Sequence, residues 1–224
     1  MIIESFPVGS LACNCVVLGD PASREAIVID PGDEPEKIAE VLDHHHLTPT
    51  HVLHTHAHID HIMAADHLRR LHGAQVCLHP GDRFLWDAVP MQGSFLGIRA
   101  APLEAVDRDL KHGDRFSFGP HQIEVIETPG HTPGSVCLLL GADEKNTAHA
   151  HPVLFSGDTL FARGIGRTDL WGGSHEGILT SIRDRLFTLD EETVVHPGHG
   201  PDTMIRDEKR KNPFLSEIAR LPGS

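Results

Sequence analysis

The chain has 224 residues, 39% of them hydrophobic, and a net charge of −13 from 19 basic and 32 acidic residues. That length allows one large core or two fused halves, while the acidic balance argues against nucleic acid as a partner, since no basic run exceeds "EKRK" near Lys209. No apolar run approaches the ~18–20 residues of a membrane span, so the expectation is a soluble, cytoplasmic protein with no membrane partner.

In chain order, "MIIESF", "CNCVVLGD" and "EAIVIDPG" read as short strands closed by turn residues. "EPEKIAEVLDHHHL" has helical apolar spacing, with acidic residues in its first turn and histidines in its last, which suits the helix dipole. His44–His46 therefore reads as a solvated helix end. Strand "THVLHTH", helix "IMAADHLRRLHG" and strand "AQVCLHP" follow in a β–α–β rhythm. Between Gly81 and Asp109 the pattern breaks at Pro90, Gly93, Gly97 and Pro102, predicting a short helix and a long loop that forms a flap over a site.

The second half predicts a hairpin from "DRFSF" and "HQIEVIETPG", then strands "SVCLLL" and "PVLFSGDT" around a polar insertion, "GADEKNTAHAH". "HEGILTSIRDRLFTL" reads as a helix, "ETVVHPG" as a strand, and "RDEKRKNPFLSEIARL" as a last helix broken at Pro213. Two β-rich halves with helices suggest two packed sheets covered by helices, in one domain spanning 1–224 with pseudo-repeated halves of roughly 1–110 and 111–224. Cys13, Cys15, Cys77 and Cys137 sit in apolar strand-like runs and read as buried thiols of a reducing compartment. The Cys-x-Cys pair has no second pair to complete a zinc knuckle.

Four loops share a design: "HTHAHIDH", "TPGHTPGS", "SGDT" and "HPGHGPDT" each place a metal-type ligand just past a predicted strand end. Strand ends in a layered fold converge on one edge, so these loops meet there despite their separation in sequence. Imidazole and carboxylate suit zinc, iron or manganese, and cysteine is absent from all four loops. His56 and His58, two apart in an extended stretch, point the same way. Asp60 and His61 lie on the following turn and face a second ion. His131 would complete the first ion and His199 the second, and Asp158 can bridge the two. Outside this set histidines such as His54 and His72 read as structural; His196, three residues before His199, is a candidate support for the ligands.

"THAHIDH", "PGHTPGS", "SGDTLF" and "PGHG" match in order the metal-binding motifs of the metallo-β-lactamase superfamily, which the chain resembles over nearly its whole length. The resemblance implies an αββα sandwich with metals at one edge of the two sheets. It implies two divalent metal ions per chain, zinc first and iron or manganese as alternatives: His56, His58 and His131 for one, Asp60, His61 and His199 for the other, with Asp158 shared. "IDPG" resembles the family's early loop beneath the site, which makes Asp30 a support for the ligands.

Within the superfamily, "GDTLFARGIGRTDL", "PGHGPDT" and the late "NPF" resemble the short glyoxalase II-type hydrolases. That implies hydrolysis of a small-molecule thioester, S-D-lactoylglutathione or a related hydroxyacylglutathione, with His58, Asp60 and Asp158 in the catalytic set and Asp60 orienting the attacking water. The chain has no tyrosine, and only 25 residues follow His199, whereas long-form glyoxalase II grips glutathione with tyrosines and a C-terminal helical domain. Arg167 in "GIGRTD" is then the candidate grip for a substrate carboxylate. The competing reading is a mononuclear-iron persulfide dioxygenase, which resembles this chain in the same motifs and would use His56, His131 and Asp158. Gly198–His199–Gly200 looks like the hydrolase version. A lactonase, β-lactamase or nuclease of the superfamily is a third reading. Oligomeric state is not legible in the sequence.

Overall fold

Runs of β-branched residues that read as strands form two six-stranded sheets in the computed structural model, which describes residues 1–142 and 150–215. By its contacts the chain divides into two compact units: residues 1–110 with 115–122, and residues 111–114 with those from Ile123 onward.

The first sheet runs in sequence order through β1 (Ile2–Val8), β2 (Cys13–Gly19), β3 (Glu25–Ile29), β4 (Thr48–Leu53), β5 (Gln75–Leu78) and β6 (Arg108–Asp109). β1, β2 and β3 are antiparallel; β3 to β6 are parallel. Ala26–Ile29 on β3 are all buried, as a parallel strand covered on both faces requires. Between β3 and β4 runs α1 (Pro35–His44), with proline in its first turn and Ile38 and Leu42 buried one helical turn apart. The helix expected over Ile62–Gly73 is α3 (Ala65–His72), closed by Gly73 in the left-handed region, and the turn before it forms a short α2 (Ile59–Ile62). The segment expected to be one short helix and a flap carries α4 (Arg83–Asp87) and α5 (Val89–Leu96), because Pro90 falls in the first turn of α5, where it is tolerated.

The second sheet has the order β14 (Thr203–Met204), β13 (Val194–Pro197), β10 (Val153–Gly157), β9 (Val136–Leu140), β8 (His121–Glu127), β7 (Arg115–Phe118). β10 and β13 are parallel, while β8–β9, β9–β10 and β13–β14 are antiparallel. A two-stranded ribbon, β11 (Leu160–Phe161) with β12 (Gly164–Ile165), follows β10. α6 (His175–Ser181) starts at Ser174, whose hydroxyl accepts from Gly177 N–H, and continues into a π-helical turn, Ile182–Leu186. Ile126, Leu154, Ile178, Ile182, Val195 and Ile205 share this unit's core. α7 (Ile205–Lys211) ends as Asn212 turns extended ahead of Pro213. Most of the "GADEKNTAHAH" insertion, and the part of the expected last helix that follows Leu215, lie outside the described residues. Among the described residues no helix is long and apolar enough to cross a membrane.

Candidate metal centre

In the first unit, parallel pairing puts two chemical loops side by side. Ile29, the last residue of β3, pairs with Leu53, the last of β4. Asp30 and the 54–58 stretch therefore leave the sheet together. Asp30 has a φ of +48° and donates its N–H to the Leu53 carbonyl (3.1 Å). That left-handed turn swings its buried carboxylate over the next loop. One oxygen accepts from Thr55 N–H (2.8 Å); the other accepts from the Thr55 hydroxyl (2.6 Å) and from His61 Nδ1 (3.0 Å).

These bonds set two tautomers. A carboxylate only accepts, so His61 carries its proton on Nδ1 and has its lone pair on Nε2. The single Thr55 proton is spent on Asp30, so Thr55 Oγ1 accepts from His56 Nδ1 (3.1 Å), and His56 too has its lone pair on Nε2. His56 Nε2 lies 3.1 Å from His58 Nδ1, and His61 Nε2 lies 3.8 Å from Asp60 Oδ2. The His56 and His61 rings are 4.1 Å apart between centroids. His56, His58 and His61 are buried; the Asp60 side chain is 19% exposed. Beneath them His54 donates from Nδ1 to the His61 carbonyl (3.1 Å), and burial pushes its imidazole pKa down to about 4, so it braces the loop as a neutral ring. Cys13 Sγ sits 3.4 Å from His61 Nδ1, and burial raises that thiol to about 11 despite the neighbouring imidazole.

The second unit repeats the device. Gly157 at the end of β10 pairs in parallel with Pro197 at the end of β13, and Gly198 N–H bonds the Gly157 carbonyl (2.8 Å). Asp158 and His199 thus emerge together. Asp158 Oδ1 lies 3.8 Å from His199 Nε2, and Asp158 Oδ2 lies 3.6 Å from His131 Nε2. One carboxylate therefore offers an oxygen to each of two imidazoles. His131 donates from Nδ1 to the Arg167 carbonyl (2.7 Å), which again leaves the lone pair on Nε2.

Two glycines permit these approaches. A Cβ on Gly32 would overlap the Asp60 carbonyl, and one on Gly166 would overlap the Asp158 carbonyl. Neither glycine, nor Thr55, stands out by residue type in the sequence; the signals there are the Pro-Gly of "IDPG" and the Gly-x-Gly of "RGIGR". The Arg167 guanidinium makes a two-point pair with Asp169 (2.8 and 2.9 Å) and is 60% exposed. It is the Arg167 backbone carbonyl that reaches a candidate ligand. His196 is held by Asp202 (2.6 Å) and stacks on Phe155.

The donor sets fit divalent ions. Each unit presents neutral imidazole and carboxylate, and three histidines are locked by acceptors behind them into the tautomer that frees Nε2, as ligating histidines require.

A model of the metallo-β-lactamase superfamily matches residues 8–199. The chain is 39% identical to "Probable metallo-hydrolase YqgX" of Bacillus subtilis, over 94% of this chain and 96% of that one. It is 34% identical to "Hydroxyacylglutathione hydrolase GloC" of Haemophilus influenzae, over 96% and 99% respectively. Among solved structures, BLEG-1 B3 metallo-beta-lactamase aligns with a TM-score of 0.84 at 37% identity, covering 96% of this chain and 100% of that one. TTHA1623 in a di-iron-bound form aligns at 0.82 and 35% identity, covering 95% and 100%.

Proposed function

The chain belongs to the metallo-β-lactamase superfamily and is a metallo-hydrolase of that family, and from this premise we propose that it is a dinuclear metal-dependent thioester hydrolase acting on S-D-lactoylglutathione or a related hydroxyacylglutathione. His56, His58 and His131 would hold one divalent ion and Asp60, His61 and His199 the other, with Asp158 between them. The observation that carries the reading is Asp158, with one oxygen directed to His131 and the other to His199. A carboxylate shared between two ions would have that form. The match of one family model from residue 8 to 199 spans all the proposed ligands. The glutathione part of the reading is supported by the likeness to the GloC protein.

Bound divalent ions would supply Lewis acidity, lowering the pKa of water and polarising the thioester carbonyl. The protein's own part is orientation. Asp30 and Thr55 hold His61 and His56 in their ligating tautomers. Asp60, whose side chain is partly exposed, orients the attacking water. A thiolate leaves without much acid assistance, which agrees with a site whose near groups are bases. Arg167 is the proposed grip for a substrate carboxylate, exchanging Asp169 for it.

The test is metal content with two assays. Purified protein reconstituted with zinc, iron or manganese should hold close to two ions per chain and hydrolyse S-D-lactoylglutathione. One ion per chain, with oxidation of glutathione persulfide by oxygen and no hydrolysis, would replace this reading with the persulfide dioxygenase.

A further inference from the structure

The residues between the proposed ligands have a backbone problem. β4 stops at Leu53 and α2 starts at Ile59, so the amides of the "HAH" stretch lie in neither a ladder nor a helix. Buried backbone groups in such a stretch need partners from elsewhere. Moreover His58, the N-cap of α2, makes no side-chain capping bond, although α2 carries both Asp60 and His61.

Gln92 supplies what is missing. It sits on α5, in the segment the sequence reads as a flap, and is 3% exposed. Its Oε1 accepts from Ile59 N–H (3.1 Å), the first amide of α2. Its Nε2 donates to the Ala57 carbonyl (3.0 Å) and to the Leu85 carbonyl (2.8 Å). The Ala57 N–H is taken by Asp82 Oδ2 (3.0 Å). Ala57 and Ile59 are the residues interleaved with His56, His58 and Asp60. Both polar groups of the first and the amide of the second are therefore fixed by side chains that touch no proposed ligand side chain in these bonds.

We infer that Gln92 is a positioning residue for the metal centre: it caps α2 from outside and pins Ala57, and so sets the spacing of the His56–His58 pair against the Asp60–His61 pair before any ion arrives. This rests on the dinuclear reading above. The amide is specific to the task, because it alone among side chains of its size both accepts from Ile59 and donates to two carbonyls. Glutamate keeps the acceptor and turns two donor contacts into carboxylate–carbonyl repulsion. Methionine keeps the volume and loses all three bonds.

The experiment compares wild type, Gln92→Met and Gln92→Glu, each reconstituted with zinc and with cobalt. Supports of metal ligands are worth about 10- to 100-fold in affinity or activity. Chelator competition should show at least tenfold weaker binding in folded Gln92→Met, with altered d–d absorption of the cobalt form and a kcat loss that exceeds the change in KM. Wild-type affinity and spectrum in a folded variant, even one less stable to heat, would make Gln92 a packing residue and overturn the inference. Hydrogen exchange on metal-free wild type needs no variant: the Ala57 and Ile59 amides should already be protected, and exchange at unstructured-chain rates would equally overturn it. Failure of wild type to bind two ions would instead overturn the dinuclear reading.

Discussion

Replacing Asp30 with asparagine tests whether the second layer of the site sets ligand chemistry or only braces the fold. Asn tolerates a left-handed backbone almost as well as Asp, so the φ of +48° adds little strain to the variant. What changes is the donor–acceptor pattern. The carboxylate accepts from Thr55 N–H on one oxygen and from the Thr55 hydroxyl and His61 Nδ1 on the other. An amide has one oxygen. Set toward Thr55 N–H, its NH2 faces His61 Nδ1 and drives the ring to the opposite tautomer, with a proton on Nε2 where the proposed ligand lone pair belongs. Set the other way, its NH2 opposes Thr55 N–H. Either choice leaves a buried donor without an acceptor, at a cost of about 1–3 kcal/mol. The first choice also costs metal affinity, about 10- to 100-fold, or about 1.4–2.8 kcal/mol. Urea unfolding of the metal-free protein reads the first quantity, and chelator competition on the folded protein reads the second. Lower stability with unchanged metal affinity would refute the tautomer argument and leave Asp30 a brace.

Gly32→Ala should move the Asp60 carbonyl, since backbone against Cβ cannot give way as a flexible side chain can. The expected loss is about 1–3 kcal/mol in stability together with weaker metal binding, read by thermal unfolding and metal titration; an unchanged melting temperature would mean the loop yields freely. Arg167→Ala leaves the backbone carbonyl that orients His131 in place. Because Arg167 would exchange one carboxylate, Asp169, for another on the substrate, the gain is the small one of an exposed pair, so KM should rise only about two- to fivefold with kcat nearly kept. An unchanged KM would count against the grip. The same variant should let the Asp169 carboxyl, held down at about 2 chiefly by its hydrogen bond from Arg167, return toward the ordinary carboxylate range in an NMR titration. The sign is that of a depressed acid: the pair's stabilisation is present above the ordinary aspartate pKa and fades as pH falls through about 2.

Fold class and the chemical types at four strand ends are legible in the amino-acid order alone. Strands and helices show their periods locally, and "HAHIDH", "GHTPGS", "SGDT" and "GHG" display candidate ligands directly, because imidazole and carboxylate are side-chain identities that need no tertiary context to be read. The tertiary structure decided which strand ends lie side by side. The parallel pairs Ile29–Leu53 and Gly157–Pro197 bring Asp30 to Thr55 and Asp158 to His199, and strand pairing is a long-range choice that local pattern does not carry. It also decided the supporting layer. Thr55, Gln92 and Asp82 are ordinary polar residues in sequence, and they matter because the buried amides and ring nitrogens of one loop found their partners there. For Arg167 the reverse holds: the sequence drew attention to a guanidinium, while in the fold its backbone carbonyl orients His131, since a hydrogen-bond acceptor in the right place need not belong to a distinctive side chain.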